Sequence, residues 1–424
     1  MPWRPRVFAS PSWSRAVAGG AFLAVTGLLA ARTLRLLNVP GDPAMDATRW
    51  ALCDFRDAVY YPAVSLLDGG NPYGTSFSST YPVASALAPY LPLILLVHLP
   101  FALMPYTVAE GVHFVLTLGL TLVLAALALE LAGLKRTGAR VLGLGALLLL
   151  SRPGHWNLVL GQPTLPVAIG AYLALRWSDE RPGLASVGLA MAFGKPSFGL
   201  PLAVVMLARR DLRVVVTGMA IAAGVSAAVV VALVVRAGLG PFLDDVRGGF
   251  MLWATALDPF ANTVAFYGAI DAVVLLSRPM GRELELGEQL VVATVVLAIA
   301  GLAIRRLAAR PEPEARVRSL SIGVLAVLLA VHHQAYDCLL LAPTGVAVAT
   351  GPGRLEPAGR AGLRLVLLAL LIVPSLNYLA SNTAIAGLGI THTWAFALCS
   401  ADGAALSAAL LLASGAALAE RRPG

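Results

Sequence analysis

Residues 107–133 read TVAEGVHFVLTLGLTLVLAALALELAG, an apolar run in which Glu110 and Glu130 are the charged residues. A helix needs about 20 apolar residues to cross about 30 Å of hydrocarbon, and this run is long enough. Apolar runs bounded by charge recur along the chain, and we predict twelve transmembrane helices from them. The predicted spans are 16–37, 107–133, 140–152, 161–176, 183–196, 198–209, 214–236, 287–305, 318–333, 335–350, 362–379 and 391–418. Several are short, and short helices survive in a bilayer where they line a protein cavity.

The composition assigns the chain to the all-α polytopic membrane proteins. Hydrophobic residues make up 58% of the 424 residues and charged residues 13%, with a mean hydropathy of +0.79. We expect a single integral-membrane domain over residues 1–424. The net charge of +8 comes from small basic clusters between apolar runs, without the basic and aromatic stripe of an RNA-binding sheet, so no nucleic-acid partner is expected. The three cysteines show neither zinc-site nor disulfide-framework spacing.

The basic clusters predict the orientation, because Lys and Arg concentrate on the cytoplasmic side of a membrane. Twelve spans place them all on that side, with both termini cytoplasmic and long outer loops at 38–82 and 237–286. The clusters are the N-terminal arginines, Lys135/Arg136/Arg140, Arg176/Arg181, Arg209/Arg210/Arg213, Arg305 to Arg318, Arg354/Arg360/Arg364 and Arg421/Arg422. The first apolar run resembles a signal peptide, and we interpret it as an uncleaved span because apolar segments continue after it.

The stretch from Tyr90 to Met104 is apolar enough to be a further span, but a thirteenth crossing would invert the charge pattern downstream. We therefore interpret residues 82–105 as a re-entrant or interfacial element. Its four prolines, which interrupt regular helices, favour this interpretation. The alternative is an ordinary span together with a break elsewhere in the chain.

A carboxylate-rich and aromatic-rich segment lies in the first outer loop. Asp54, Asp57 and Tyr61 are spaced i, i+3 and i+7, which places them on one face of an α-helix with Tyr60 beside it. Such a face could offer a base to a hydroxyl group, and the alternative is a solvated acidic loop. Either carboxylate could be the base.

Polar residues interrupt apolar runs further along the chain, where an ionisable group is costly and therefore a candidate for function. They are Arg152, Gln162, Lys195, His332 and His333. Each also has a structural interpretation: the arginine could reach the interface, the lysine could pair with an acidic residue and the histidines could cap a helix. Together with the first-loop carboxylates they suit group transfer from a lipid-linked phosphate, with a carboxylate base and cations that stabilise the leaving phosphate.

Short motifs in a particular order resemble glycosyltransferase family 87, whose members transfer sugars from polyprenyl phosphates. They are Asp54-Phe, Tyr60-Tyr61, Leu66-Leu-Asp-Gly69, Asn71-Pro-Tyr73, Tyr81-Pro82, Pro100-Phe-Ala-Leu-Met-Pro105, Gly161-Gln162, Gly194-Lys195, Asn262-Thr263 and His332-His333. The resemblance implies the C-type multispan architecture and an active site on the outer face of the plasma membrane. It maps the base best onto Asp54, but two additional residues precede the tyrosine pair, so Asp57 remains a competitor.

The resemblance implies an inverting transfer of a hexose or pentose from a polyprenyl phosphate to a glycolipid or glycan, and we expect a mannose-like hexose. In this interpretation Lys195, Arg152, His332, His333 and Gln162 contact the donor, while Tyr60, Tyr61, Tyr81 and Asn262 contact the substrates. The carboxylates could hold a divalent cation against the phosphate, but no ligand spacing requires a metal. The alternative from another class is a flippase for lipid-linked sugars, or another transporter.

Overall fold

The computed structural model describes residues 11–37, 50–84, 88–255, 268–310, 312–350 and 361–420, and within these ranges every element with regular hydrogen bonding is helical. The longer helices are Pro11–Leu36, Tyr106–Leu131, Gly138–Leu150, Arg152–Leu160, Thr164–Trp177, Pro182–Phe193, Pro196–Ala208, Leu212–Ala237, Leu239–Thr255, Ala272–Met280, Leu286–Ala308, Pro313–Ala330, Ala342–Thr350, Ala361–Leu376 and His392–Ala419. The short ones are Cys53–Phe55, the π-helix Arg56–Tyr60, Tyr61–Leu67, Phe77–Thr80, Pro92–Val97, Leu99–Ala102, the 3₁₀ helices Ala335–Leu341 and Tyr378–Ala380, and Asn382–Gly387.

The helices follow the apolar runs of the sequence, and the chain is a polytopic membrane protein. Five helices in the described ranges are long and apolar enough to cross a bilayer: Ser14–Leu36, Tyr106–Leu131, Leu212–Ala237, Leu286–Ala308 and Thr393–Ala419. Shorter apolar helices of 10–17 residues accompany them. The remaining predicted runs also fall on helices, but these are shorter than a straight crossing needs. The count of twelve crossings therefore stays a prediction.

The stretch that the sequence marks as re-entrant does not form one continuous helix. It contains the helices Pro92–Val97 and Leu99–Ala102, which meet at His98, and proline occupies the first turn of each. The backbone N–H of Leu91 donates to the carbonyl of Gly194, which ties this stretch to the connection that carries Lys195. The broken helix agrees with the re-entrant interpretation, while its depth in a bilayer stays a prediction.

Two glycines permit the close packing at the centre of the protein. A Cβ atom on Gly170 would lie 2.6 Å from the carbonyl oxygen of Gly188, and one on Gly188 would lie 2.5 Å from that of Gly170. The helices Thr164–Trp177 and Pro182–Phe193 therefore approach each other backbone to backbone, as small residues allow between membrane helices. This packing fixes the relative positions of Gln162, just before the first helix, and Lys195, just after the second.

The two segments that the sequence predicts to be outer loops are joined through one carboxylate. Asp245, on the helix Leu239–Thr255, accepts hydrogen bonds from the side chain of Asn71 and from the backbone N–H and hydroxyl of Thr75, each at 2.8 Å. Gly74 lies so close that a Cβ atom there would overlap the Asp245 carboxylate. We name this contact between residues 71–75 and Asp245 the outer clamp.

Candidate active site

An unusual backbone conformation precedes Asp54. Leu52 has a φ of 56°, in the left-handed region, which costs a residue with a side chain about 1–2 kcal/mol. Its N–H donates to the carbonyl of Val159 at 2.7 Å, which helps to hold the turn in place. Gly161 also has a positive φ of 72°, and a Cβ atom there would lie 2.7 Å from the Cβ atom of Phe55. Glycine is therefore required at the point where the Gly161-Gln162 motif passes the Asp54 segment.

The side chain of Gln162 connects Asp54 to Tyr90. Its Nε2 atom donates a hydrogen bond to Oδ2 of Asp54. Its Oε1 atom accepts one from the hydroxyl of Tyr90 at 3.0 Å. The Tyr90 backbone is fixed in turn, because its carbonyl accepts from the hydroxyl of Tyr73 at 2.9 Å. Gln162 thus holds the predicted base Asp54, and Tyr90 holds Gln162 from the other end of the amide.

Burial raises the pKa of Asp54 to about 7, because water no longer solvates the charged carboxylate. The hydrogen bond from Gln162 opposes this increase, the nearby Asp57 adds to it, and the ammonium group of Lys195 opposes it. A carboxylate with a pKa near neutral pH is suited to general-base work.

Asp57 has different partners, although the sequence spacing predicts a shared α-helical face with Asp54. Residues 56–60 form a π-helix, whose wider turn changes the angle between successive side chains. Asp57 forms an ion pair with Arg56, with 2.6 Å between Nε and Oδ1, and accepts from the backbone N–H of Ala84 at 3.1 Å. The regular face is not formed, and the Gln162 side chain meets Asp54 rather than Asp57.

Lys195 and His333 meet at a buried carboxylate, Asp337. Oδ1 of Asp337 accepts from the Lys195 ammonium group at 2.6 Å and from the Thr164 hydroxyl at 3.0 Å. Oδ2 accepts from His333 Nδ1 at 2.9 Å and from the Gln334 N–H at 3.1 Å. The other ring nitrogen of His333 lies 3.0 Å from the carbonyl of Ser197, so both nitrogens face protein acceptors.

His332 and Arg152 occupy different surroundings from Lys195. The His332 side chain is 46% exposed, and its Nδ1 lies 3.5 Å from a carboxylate oxygen of Asp271. Arg152 is buried and donates to Asp402 at 2.5 Å and to the carbonyl of Ala380 at 3.0 Å. These contacts join the Arg152–Leu160 helix to the C-terminal part of the protein. Of the predicted donor-binding residues, Gln162, Lys195 and His333 are therefore the ones linked to Asp54 or Asp337.

The three predicted substrate-binding tyrosines form part of an aromatic cluster beside Asp54. The rings of Tyr60 and Tyr61 meet edge to face with 5.0 Å between centroids, and Tyr61 contacts Tyr81 at 5.7 Å. The Tyr60 hydroxyl donates to the carbonyl of Met104, and the Tyr81 hydroxyl to Asp68, both at 2.8 Å. Asn262, the remaining predicted contact, lies outside the described residues.

Tyr90 and Asp337 contribute to the site, but neither is among the candidates chosen from the sequence. A signal for Asp337 exists, because a lysine within an apolar segment needs a buried carboxylate as partner. No comparable signal marks Tyr90, since an aromatic residue in an apolar run is typical of a protein core. In the described ranges, no group of three or more His, Cys, Asp or Glu side chains is arranged to hold a metal ion.

Comparison with known proteins identifies the family. The model of glycosyltransferase family 87 matches residues 89–332, which is more than half of the chain. The matched region includes Tyr90, Gln162 and Lys195, whereas Asp54 and Asp337 lie outside it. Neither a curated protein nor a solved structure matches the chain significantly. The chain belongs to glycosyltransferase family 87, as a polytopic membrane enzyme.

Proposed function

We propose that this enzyme transfers a mannose-like hexose from a polyprenyl phosphate to a hydroxyl group of a glycolipid or glycan, with inversion at the anomeric carbon. Asp54 is the general base in this proposal. The observation that carries it is the environment of that carboxylate. Gln162 orients it, Lys195 lies within electrostatic reach, and burial raises its pKa to about 7. A base with this pKa is about half ionised at neutral pH and still binds a proton well.

The reaction follows from this arrangement. Asp54 removes the proton of the acceptor hydroxyl as its oxygen attacks the anomeric carbon from the side opposite the phosphate. The bond between the sugar and the phosphate oxygen breaks, and the polyprenyl phosphate leaves with the electron pair. Lys195 stabilises the negative charge on that phosphate. Asp337 accepts one hydrogen bond from the ammonium group, which has three donors, so donors remain for the phosphate.

The other predicted contacts complete the proposed substrate site. The exposed side chain of His332 is available to the donor headgroup. We also assign Arg152 and His333 to the donor side, where they act through their buried partners Asp402 and Asp337. Tyr60, Tyr61 and Tyr81 present aromatic rings to the sugar, and Asn262 binds from the second outer loop. We place the site on the outer face of the plasma membrane, with both termini in the cytoplasm, because that orientation puts the basic clusters inside.

The proposal is tested by incubating the purified protein in lipid nanodiscs with radiolabelled mannosyl polyprenyl phosphate and a glycolipid acceptor. We expect labelled product with the anomeric configuration opposite to that of the donor. A parallel reaction with a nucleotide-linked mannose is the donor control. Product from the nucleotide sugar alone would overturn the proposed donor.

The same donor in proteoliposomes distinguishes an enzyme from a flippase. An enzyme consumes the donor only when the acceptor is present. Movement of intact donor between leaflets without any transfer would favour the transporter alternative.

A further inference from the structure

Asp337 is the most heavily bonded carboxylate in the candidate site. It is 1% exposed and accepts hydrogen bonds from Lys195, Thr164, His333 and the backbone of Gln334. These donors come from three separate parts of the chain. No acceptor position directed at substrate is left on this carboxylate, so Asp337 is suited to holding other groups in place rather than to reacting.

Lys195 is the charged partner in this group. Its side chain is 12% exposed, and its ammonium nitrogen lies 4.9 Å from the ring centroid of Tyr336 and 5.2 Å from that of Phe198. An ammonium group in such surroundings needs a carboxylate partner, because leaving a buried charge unpaired is strongly destabilising. Asp337 is that partner. Asp54 is a second carboxylate near Lys195, because Gln162 donates to Asp54, while Thr164, two residues later, donates to the same Asp337 oxygen as Lys195.

The two carboxylates therefore compete for one cation. If Lys195 formed a direct ion pair with Asp54, it would stabilise the ionised carboxylate and make it a weaker base. We infer that Asp337 is a positioning residue that keeps the Lys195 ammonium group away from Asp54, so that Asp54 stays free to accept a proton. This inference rests on the proposed function for the role of Asp54, but its structural content does not depend on the sugar or the acceptor.

Among the residues that the structure describes, the other groups around Asp54 do not take the place of Lys195 in this competition. On the same segment as Asp54, neither Cys53 nor Asp57 supplies a positive charge. Arg56 is a cation, but it forms its ion pair with Asp57. Among the elements packed against Asp54, Gln162 donates one hydrogen bond to it. The hydroxyls of Tyr90 and Tyr336 interact with it electrostatically but carry no charge. Lys195 is thus the cation expected to move when Asp337 loses its charge.

The test measures the ionisation of Asp54 without any substrate. Dicyclohexylcarbodiimide reacts with protonated carboxyl groups in apolar surroundings, and mass spectrometry of the digested protein quantifies its adduct at Asp54 over a pH series. We expect a midpoint near pH 7 in the unmodified protein, following the raised pKa of Asp54. In Asp337→Asn the midpoint should fall by about 1–3 pH units, the effect of a new opposite charge at close range. An unchanged or higher midpoint would overturn the inference.

Two further variants separate positioning from general damage. Thr164→Val removes one hydrogen bond to the same Asp337 oxygen but keeps the charges, so its midpoint should match the unmodified protein. In Asp337→Asn combined with Lys195→Met, the downward shift should disappear, because the migrating cation is absent. A shift that persists in the double variant contradicts the inference.

If Asp337→Asn does not fold, Lys195→Met alone still decides the matter. With Lys195 held away from Asp54, its removal should raise the midpoint by less than about one pH unit, whereas removal of a direct ion pair raises it by up to three. An increase of more than about one unit would overturn the inference. The labelling and the sugar-transfer assay separate this inference from the proposed function. If the variants label as expected but the unmodified protein transfers no sugar, the proposed function is refuted and this inference stands. If the unmodified protein transfers sugar but Asp337→Asn labels at the same midpoint, this inference is refuted and the proposed function stands.

Discussion

The hydroxyl of Tyr90 donates to Oε1 of Gln162, with 3.0 Å between the two oxygens, and this bond fixes which end of the amide faces Asp54. An ionised carboxylate can only accept hydrogen bonds, so it must meet the nitrogen end of the amide. With Oε1 held by Tyr90, Nε2 is directed to Asp54. Tyr90, in the stretch predicted to be re-entrant, thus helps to set the properties of the predicted base Asp54.

Gln162→Leu should make sugar transfer more dependent on alkaline pH. The hydrogen bond from Gln162 lowers the pKa of Asp54, so its loss raises that pKa above about 7 and the base becomes ionised only at higher pH. The acid limb of the plot of kcat/KM against pH should move upward, with a lower rate at pH 7 and partial recovery near pH 9. Gln289→Leu, at an exposed glutamine whose amide donates to the carbonyl of Leu284, is the control. An acid limb that does not move would contradict the role of Gln162.

Asp54→Asn should lower the activity of the protein, whereas Asp57→Asn should lower its stability. Asp54→Asn removes the base and should lower the transfer rate by about 10²–10⁴-fold while thermal stability changes little. Asp57→Asn breaks the buried pair with Arg56, a change that typically costs about 3–5 kcal/mol, and should lower the thermal unfolding temperature clearly. Scintillation counting of product and thermal unfolding in detergent check both variants. A stable but inactive Asp57→Asn protein would identify Asp57 as the base instead.

Asp245→Asn should open the outer clamp. Hydrogen bonds to a charged group contribute about 1.5–3 kcal/mol each, so loss of the charge should speed amide hydrogen exchange in residues 71–75 by about tenfold or more. Mass spectrometry of exchanged peptides measures this. Asp244→Asn, at the exposed neighbouring residue, is the control and should leave exchange unchanged. Equal exchange in the two variants would show that Asp245 does not hold the loop.

The outer clamp should also weaken in acid. Slight burial raises the pKa of Asp245, but the hydrogen bonds from Thr75 and Asn71 outweigh this and lower the pKa below its ordinary value. The stability that this carboxylate contributes is therefore complete above the ordinary aspartate pKa of about 4 and is lost as the pH falls through the lowered value. Hydrogen exchange of residues 71–75, corrected for its intrinsic pH dependence, should accelerate below about pH 4. Asp245→Asn should lack this pH effect.

Cysteine labelling should establish the orientation. In a protein without its three native cysteines, Ser79→Cys in the first outer loop should react with a membrane-impermeant maleimide on intact cells. Gly138→Cys, at the start of the helix Gly138–Leu150, should react only after the membrane is opened. Both positions are exposed on the protein, so reactivity reports the side of the membrane rather than burial. Outside labelling at position 138 would refute the predicted topology.

The helices could be predicted from sequence because apolar runs bounded by charge dictate where a chain can enter a bilayer. The predicted run 214–236 differs by only a few residues from the helix Leu212–Ala237. The number of crossings could not be derived in the same way, because short helices are common and their depth depends on packing. The broken stretch at Pro92–Val97 was predictable from proline, whose ring fits the first turn of a helix but not its interior.

Gln162 and Lys195 could be chosen from the sequence as polar residues in apolar runs, but the side chains that they contact could not. Lys195 and Asp337 are 142 residues apart in the chain, and their ion pair follows from helix packing that no local pattern encodes. The same holds for Gln162 and Asp54, which are 108 residues apart. The spacing of Asp54 and Asp57 predicted a shared face on a regular α-helix, and this geometry was wrong because residues 56–60 form a π-helix.

The π-helix Arg56–Tyr60 also has a consequence for tracing distant relatives. A π-turn can absorb an inserted residue without moving the helix on either side, so the number of residues between Asp54 and the Tyr60-Tyr61 pair can vary while the base and the aromatic rings keep their places. A search that demands a fixed interval between a first-loop carboxylate and its tyrosines would miss such chains. An alignment that allows a one-residue gap within residues 56–60 should recover them.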